Sequence, residues 1–279
     1  MKIGDKYKTL GYYEENDGGE GRYDIIANSN DIKVDNGLYI QLENGLIAKL
    51  AIINNTVNVK QFGAKGNKAN DDTTYLNTAF NSIEIPIGEY KITDVINIST
   101  KNTNVIGNAS TIFTDNDYKP KKYSEFLFIM GTDNCNINNL KIEARETQNL
   151  ENLYSAQVYI GASNIKVQNC SFKVPETTSS EHGYNNIDLY TAWHNVLIEN
   201  CELYLANNAK SGGCIWVRDL FNRGASDLTF TNNKCYKKTH DEILAVFMGS
   251  IENVNILNNT FIMDESEDPS TMAFTFGSK

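Results

Sequence analysis

Apolar and polar residues follow a pattern that recurs about every thirty residues along most of the chain. One copy reads NIKVQNCSF from Asn164 to Phe172, and the next reads NVLIENCEL from Asn195 to Leu203. In each copy two apolar residues alternate with polar ones, an Asn follows, and another apolar residue comes shortly after it. Six copies can be aligned on a shared asparagine: Asn108, Asn139, Asn169, Asn200, Asn232 and Asn258. Such a period is typical of proteins built from stacked repeats.

Each repeat contains three short strand-like runs. The alternating pair of apolar residues predicts one strand, the Asn predicts a turn, and the next apolar residue begins a second strand. A third apolar run follows in every repeat, as in NIDLY at 186–190 and CIWVRD at 214–219. Three strands per repeat predict an all-β fold, a right-handed single-stranded parallel β-helix with coils about 4.8 Å apart.

A leucine-rich repeat is the main alternative, because its consensus also ends in Asn or Cys followed by an apolar residue. That repeat is usually roughly 20 to 29 residues long and has one strand with a regular helical return. The longer period and the third strand-like run favour the β-helix.

The shared asparagines predict a column along the β-helix. Asn tolerates the left-handed backbone conformation, and its amide can bond to the Asn of the neighbouring coil. The residues that follow are expected to form a second, internal column: Leu140, Cys170, Cys201, Asn233 and Asn259. Cys170 and Cys201 would then be vertical neighbours, and we expect small stacked thiols there rather than a disulfide.

The pattern changes upstream of the repeats. The segment VNVKQFGAKGNKANDDTTYLNTAF at 57–80 predicts a strand, a Gly-rich turn and a short helix at about 71–80 that Asp71 or Asp72 can cap. This helix would cover the open apolar end of the β-helix. Residues 1–52 contain short alternating runs separated by turn residues and predict a small N-terminal β-domain. The β-helix would occupy 53–279.

Composition and charge narrow the classes of partner. The formal net charge is -10, and Lys and Arg are scattered singly, so a nucleic-acid partner is not expected. Nor is a membrane partner, because no apolar run is long enough to span a bilayer. The N-terminus lacks the apolar block of a secretory signal. The five cysteines lack the spacing of a zinc or redox site, so no metal site is predicted.

The segment at 57–80 resembles the opening of the pectate-lyase-like superfamily of β-helix proteins. The segment YKTLGYYEENDGGEGRY at 7–23 resembles the stretch that precedes the β-helix in bacteriophage tailspikes and appendages. The resemblance implies a homotrimer in the virion that acts at the bacterial cell surface. It also implies that the N-terminal region contacts other virion proteins. An outward groove would bind or cleave a host cell-surface glycan, either a polysaccharide or wall teichoic acid.

Acidic residues recur on the third strand of successive coils, where outward side chains form a laddered surface. Asp188, Asp219 and Glu242 lie on three such coils, and Asp241 precedes Glu242. Carboxylates one coil apart would have the spacing of a retaining glycosidase, and two coils apart that of an inverting one. We therefore expect Glu242 or Asp241 as general acid and Asp188 or Asp219 as base or nucleophile. A lyase would need a basic residue such as Arg218 and usually calcium, which the sequence does not require; no cofactor is predicted.

Aromatic and basic residues accompany these acids and predict sugar contacts. Trp216, Trp193 and Tyr190 could stack on sugar rings, and Arg218 and His240 could contact them. Exposed charges on a strand are also common as simple solvated residues. Two further functions therefore remain open: a non-catalytic adhesin that holds glycan, and a purely structural spike.

Overall fold

The chain folds into a small antiparallel sheet followed by a long stack of parallel strands. The computed structural model describes residues 1–54, 56–77, 82–118, 126–145, 155–174, 184–190, 192–205, 213–219, 223–238, 244–263 and 274–276.

Sheet 1 is a four-stranded antiparallel sheet with the strand order β1-β2-β4-β3. Its strands are β1 (Lys6–Lys8), β2 (Arg22–Ile26), β3 (Tyr39–Gln41) and β4 (Ile47–Leu50). Tyr23, Ile25 and Leu50 bury one face of the sheet against Val57 and Phe62, which begin the β-helix. The sheet lies inside the predicted N-terminal segment 1–52, but its apolar core is shared with the β-helix.

The first coil begins with β5 (Val57–Asn58), a 3-10 turn (Val59–Phe62), β6 (Asn67–Asp71) and α1 (Thr73–Leu76). The predicted helix therefore exists, although the structure describes one turn of it and residues 78–81 lie outside the described ranges. Asp71 accepts the backbone N–H of Thr73 at 3.0 Å. Asp72 instead accepts the N–H groups of Lys65 and Gly66, at 2.7 and 3.0 Å, and so ties the Gly-rich turn to the helix.

Two parallel sheets follow the predicted strands. In the part of the chain that the structure describes, sheet 2 has fourteen strands and contains the segments before and after each shared Asn. After β5 and β6 its strands are β7 (Ser82–Glu84), β8 (Glu89–Lys91), β10 (Asn104–Thr114), β12 (Asn136–Ala144), β14 (Ile165–Gln168), β15 (Ser171–Val174), β17 (His194–Glu199), β18 (Glu202–Leu205), β20 (Ala225–Thr231), β21 (Lys234–Lys237), β23 (Ile251–Leu257) and β24 (Thr260–Met263). Within the described residues sheet 3 has seven strands, of which β9 precedes the first phrase and the other six come from the third runs: β9 (Ile96–Ile98), β11 (Phe126–Met130), β13 (Ser155–Ile160), β16 (Tyr184–Tyr190), β19 (Ile215–Asp219), β22 (Leu244–Gly249) and β25 (Phe274–Phe276). The predicted parallel β-helix is confirmed.

Equivalent residues of neighbouring coils are paired in register, so the core consists of columns. One column contains Ile137, Val167, Ile198 and Phe230, all at most 1 % exposed. Alternation along each strand sends these side chains inward and their neighbours outward. The period of the sequence thus produces a continuous apolar core along the stack.

The shared asparagines adopt the predicted left-handed backbone. Their φ angles lie between 48° at Asn108 and 56° at Asn258. Side-chain bonding differs from the predicted ladder, because Asn169 donates to Asn138, one residue before the expected partner Asn139. The ladder among the shared asparagines therefore stays a prediction.

A second left-handed column stands at the start of each phrase: Asn102, Asn134, Asn164, Asn195, Asp227 and Asn253. In this column amides do bond between coils. Asn134 donates to Asn102 at 3.1 Å, Asn195 to Asn164 at 2.8 Å, and Asn253 to Asp227 at 2.9 Å.

The predicted internal column is also present. Cys170 and Cys201 are buried with free thiols, as expected. Further along, the side chain of Asn233 accepts the Cys201 N–H at 2.8 Å, and that of Asn259 accepts the Asn233 N–H at 2.8 Å. These bonds connect three coils through the interior.

Candidate functional site

Sheet 3 brings the central sequence-predicted residues together on its outer face. In β16 the side chains of Ile187 and Leu189 are fully buried in the core, so Asp188 and Tyr190 point to the other face. Register places Asp188 beside Trp216, and Tyr190 beside Arg218. Adjacent coils therefore align an acid, a base and two aromatic rings, although these residues are far apart in sequence.

Asp188 and Arg218 form a bidentate ion pair at the centre of this group. Arg218 Nε donates to Asp188 Oδ1 at 3.2 Å, and Nη2 donates to Oδ2. Asp188 is 1 % exposed, and the side chain of Arg218 is 13 % exposed. A paired, planar geometry of this kind is among the stronger hydrogen-bonding arrangements in proteins.

Aromatic rings surround the guanidinium group. Its central carbon lies 4.7 Å from the ring centroid of Tyr190 and 4.8 Å from that of Trp216. The ring of Tyr159, on the preceding strand β13, lies 5.8 Å from that of Tyr190. We call these five residues (Tyr159, Asp188, Tyr190, Trp216 and Arg218) the sheet 3 cluster.

Burial raises the pKa values of two residues in the sheet 3 cluster, Asp188 and Tyr159. Burial raises the pKa of Asp188, and the positive charge of Arg218 opposes this shift. Burial, followed by the negative charge of Asp188, raises the pKa of Tyr159 to about 12. Tyr159 is therefore a neutral hydroxyl at physiological pH.

The rings differ in how accessible they are. Trp216 is only 8 % exposed and lies beneath Arg218, whereas Tyr159 and Tyr190 are half-buried. A sugar ring would therefore meet the two tyrosines before the tryptophan. Tyr159 was not among the sequence-predicted site residues. The alternation of AQVYI at 156–160 is the sequence pattern that could have indicated Tyr159. The pairing of β13 with β16 places Tyr159 beside Asp188.

Asp219 lies in a different environment from the one expected. It is fully buried, and its two oxygens accept the backbone N–H groups of Arg223, Gly224 and Ala225 at 2.9, 2.8 and 3.3 Å. Burial alone would raise the pKa of Asp219, but these three donors outweigh it and lower the pKa. The carboxylate is occupied by the backbone N–H groups of residues 223–225, and this geometry does not fit a role as base or nucleophile.

The predicted sugar-stacking role of Trp193 does not fit its position. Trp193 is fully buried in the apolar core, and its Nε1 donates to the backbone oxygen of Arg218 at 3.3 Å. It supports the backbone beneath the sheet 3 cluster. The remaining predicted residues, His240, Asp241 and Glu242, lie outside the described ranges.

Within the described residues, no three His, Cys, Asp or Glu side chains come together in a way that could hold a metal ion. None of the helices in this part of the chain is long and apolar enough to cross a membrane.

No protein-family model matches the chain, and no curated protein matches it. Several solved structures are similar to it. One is the enzymatically active domain of bacteriophage CBA120 tailspike protein 4, at 11% identity and a TM-score of 0.49, covering 97% of this chain and 52% of that one.

Two other similar structures come from different sources. Tailspike protein gp49 of Acinetobacter baumannii bacteriophage Fri1, a capsular polysaccharide depolymerase, has 13% identity and a TM-score of 0.45, covering 100% and 62% of the two chains. Pantoea stewartii WceF, a glycan biofilm modifying enzyme, has 12% identity and a TM-score of 0.42, covering 97% and 48%. The chain spans about half to two thirds of the length of these three structures.

Proposed function

We propose that the chain is a phage tailspike-like protein that binds a host cell-surface glycan on the outer face of sheet 3. The observation that supports this proposal is the sheet 3 cluster. It combines partly exposed aromatic rings, which match the apolar faces of sugars, with fixed hydrogen-bonding groups, which match their hydroxyls. The proposed setting is the virion, as a homotrimer whose N-terminal region contacts other virion proteins.

Binding is tested by titrating the chain with a panel of bacterial cell-wall and capsular glycans in a calorimeter. Tyr190→Ala should weaken the binding of the best ligand by about 1 kcal/mol, which is about fivefold in Kd, because it removes an aromatic face. Tyr204→Ala is a matched control: Tyr204 is half-buried on the outer face of sheet 2, where it stacks on Tyr236 with ring centroids 4.6 Å apart.

The control variant should bind as the wild type does. If no glycan of the panel binds, or if both tyrosine variants lose affinity equally, the sheet 3 cluster is not a glycan site.

Hydrolysis of the bound glycan is the second candidate function, and one observation favours it. Burial raises the pKa of Asp188, and acid/base catalysis commonly uses carboxyl groups tuned in this way. Asp188 would supply one carboxyl group, and Asp241 or Glu242 the other.

Hydrolysis is measured as new reducing ends released from the ligand that binds. Asp188→Asn and Glu242→Gln should each lower the rate by at least about a hundredfold, because general acid/base catalysis contributes that much. Binding by the wild type without release of reducing ends would leave the adhesin function alone.

A further inference from the structure

The guanidinium group of Arg218 uses only one of its edges within the described part of the protein. Asp188 is bonded to Nε and Nη2, which lie on one side of the plane. Within the described ranges, Nη1 donates no hydrogen bond. Because a guanidinium has five N–H groups in a fixed planar arrangement, a second pair of donors, on Nη1 and Nη2, remains at its end.

Four residues hold this second edge in place. Tyr190 and Trp216 lie against the guanidinium, and the Trp193 indole donates to the backbone oxygen of Arg218. Asp188 sets the rotation of the group within its plane. A side chain constrained in this way loses little conformational entropy when it binds a ligand.

We propose that the free edge of Arg218 binds an anionic group of the glycan, a carboxylate or a phosphate, and that Asp188 is its positioning residue. This inference rests on the proposed glycan-binding function and names the ligand class. Two parallel N–H groups match two oxygens on one atom, as in a carboxylate or phosphate, better than they match separate sugar hydroxyls. The partial exposure of the Arg218 side chain, 13 %, leaves room for an approach from outside.

The charges of the chain indicate how Arg218 would select an anion. The chain has a formal net charge of -10, and Asp188 already neutralises Arg218, so long-range attraction of an anion is weak. The anion would instead be recognised at short range through hydrogen-bond geometry. Selectivity should therefore depend on the guanidinium itself and change little with ionic strength.

Matched pairs of polymers test the inference with the full chain. Polygalacturonate is compared with its methyl ester, and poly(glycerol phosphate) with an uncharged glucan, by calorimetry at low and at high salt. We expect the wild type to bind at least one anionic polymer about tenfold or more tightly than its uncharged counterpart. Preference for polygalacturonate identifies a carboxylate ligand, and preference for poly(glycerol phosphate) identifies a phosphate ligand.

Variants assign the preference to Arg218. Arg218→Gln should abolish it, and Arg218→Lys should reduce it, because lysine keeps the charge but loses the paired donors. Lys166→Gln is the control for lost charge: Lys166 is exposed on β14 in sheet 2, and this variant should keep the preference. Because Arg218→Gln leaves Asp188 unpaired, the double variant Arg218→Gln/Asp188→Asn is measured beside it, and circular dichroism checks the fold of each.

The outcomes separate the two proposals. If the wild type binds glycans but treats charged and uncharged forms alike, or if a folded Arg218→Gln variant keeps the preference, the inference fails and the glycan-binding function stands. If the wild type binds none of these polymers and no glycan of the wider panel, both proposals fail.

Discussion

Asparagine determines the local backbone at both turns that border the strands of sheet 2. Residues in these two columns have φ angles near 55°, a region that costs most residues about 1–2 kcal/mol but that Asn and Gly adopt more readily. The phrase of the sequence revealed the column that contains Asn200. It did not reveal the column that contains Asn195. Asp227 replaces Asn at one position of that column, and its members were interpreted only as the first residues of the repeated phrase.

Substitution at Asn200 tests the cost of this conformation. Its φ is 55° and its side chain is exposed, so Asn200→Ala should lower the free energy of unfolding by about 1 kcal/mol through backbone strain. Asn200→Gly is the matched control, because Gly also lacks the Asn amide but tolerates a positive φ. Urea denaturation measures both variants. An alanine variant at least as stable as the glycine variant would show that the conformation carries no such cost.

At the candidate site, the sequence could predict which side chains share a face but not what they contact. Alternation along NIDLY and CIWVRD correctly put Asp188, Tyr190, Trp216 and Arg218 on one surface. The ion pair required the register between coils, which no single strand specifies. Asp219 was expected in the same groove, but its carboxylate is buried and accepts the backbone N–H groups of Arg223, Gly224 and Ala225. Alternation along one strand does not specify such contacts with a later segment.

Strands and connections differ in how well the sequence specifies them. Strands in the repeats follow from the alternation of apolar residues, because burial of one face fixes their position. Connections depend on individual polar contacts, as at Asp72, whose side chain crosses to Lys65 and Gly66. The sequence predicted a helix cap at Asp71 or Asp72. In the structure Asp71 accepts the Thr73 N–H, whereas Asp72 binds the neighbouring turn.

The loop before β2 is organised by one carboxylate. Asp17 accepts the backbone N–H groups of Tyr12, Tyr13, Glu14 and Gly19 at distances from 2.7 to 3.2 Å. Burial would raise the pKa of Asp17, but these donors outweigh it and lower the pKa to about 2. Since the folded pKa lies below the unfolded value of about 3.9, the bonds stabilise the protein above that pH.

This stabilisation should be lost as the pH falls from about 4 to about 2. Asp17→Asn should therefore be less stable than the wild type at neutral pH, and the difference should shrink across that range. Thermal unfolding at a series of pH values measures it. A constant difference between wild type and Asp17→Asn at all pH values would contradict the assignment.

On the scale of the whole molecule, sheet 1 and the β-helix are joined by apolar packing and by hydrogen bonds. Phe62, from the first coil, is 6 % exposed and belongs to the apolar core of sheet 1. Asn58 and Gln61 donate to the backbone oxygens of Gly18 and Glu20, at 3.0 and 2.7 Å. The sequence predicted two units but not this contact, because it joins segments that share no pattern.

The contact between Gly37 and Phe62 tests the joint. A Cβ at Gly37 would lie 2.0 Å from Cδ1 of Phe62, so Gly37→Ala should force the two units apart and lower the free energy of unfolding by about 1–3 kcal/mol. Gly131→Ala is a matched control, since nothing lies within 4 Å of the Cβ there, and it should change stability by less than about 0.5 kcal/mol. Thermal unfolding and limited proteolysis near residues 51–56 measure the effect. Equal behaviour of the two variants would mean that the joint is looser than the packing indicates.

The registered pairing of coils also determines how the protein responds to mechanical load. In sheets 2 and 3 the backbone hydrogen bonds run from one coil to the next, parallel to the long axis of the stack. Tension on a chain end would break the bonds of the terminal coil first and leave the others intact. Each coil released in this way would lengthen the chain by roughly 100 Å, given about thirty extended residues. The stack of coils would therefore unravel one coil at a time from its end, whereas compression along its axis would be shared by every coil.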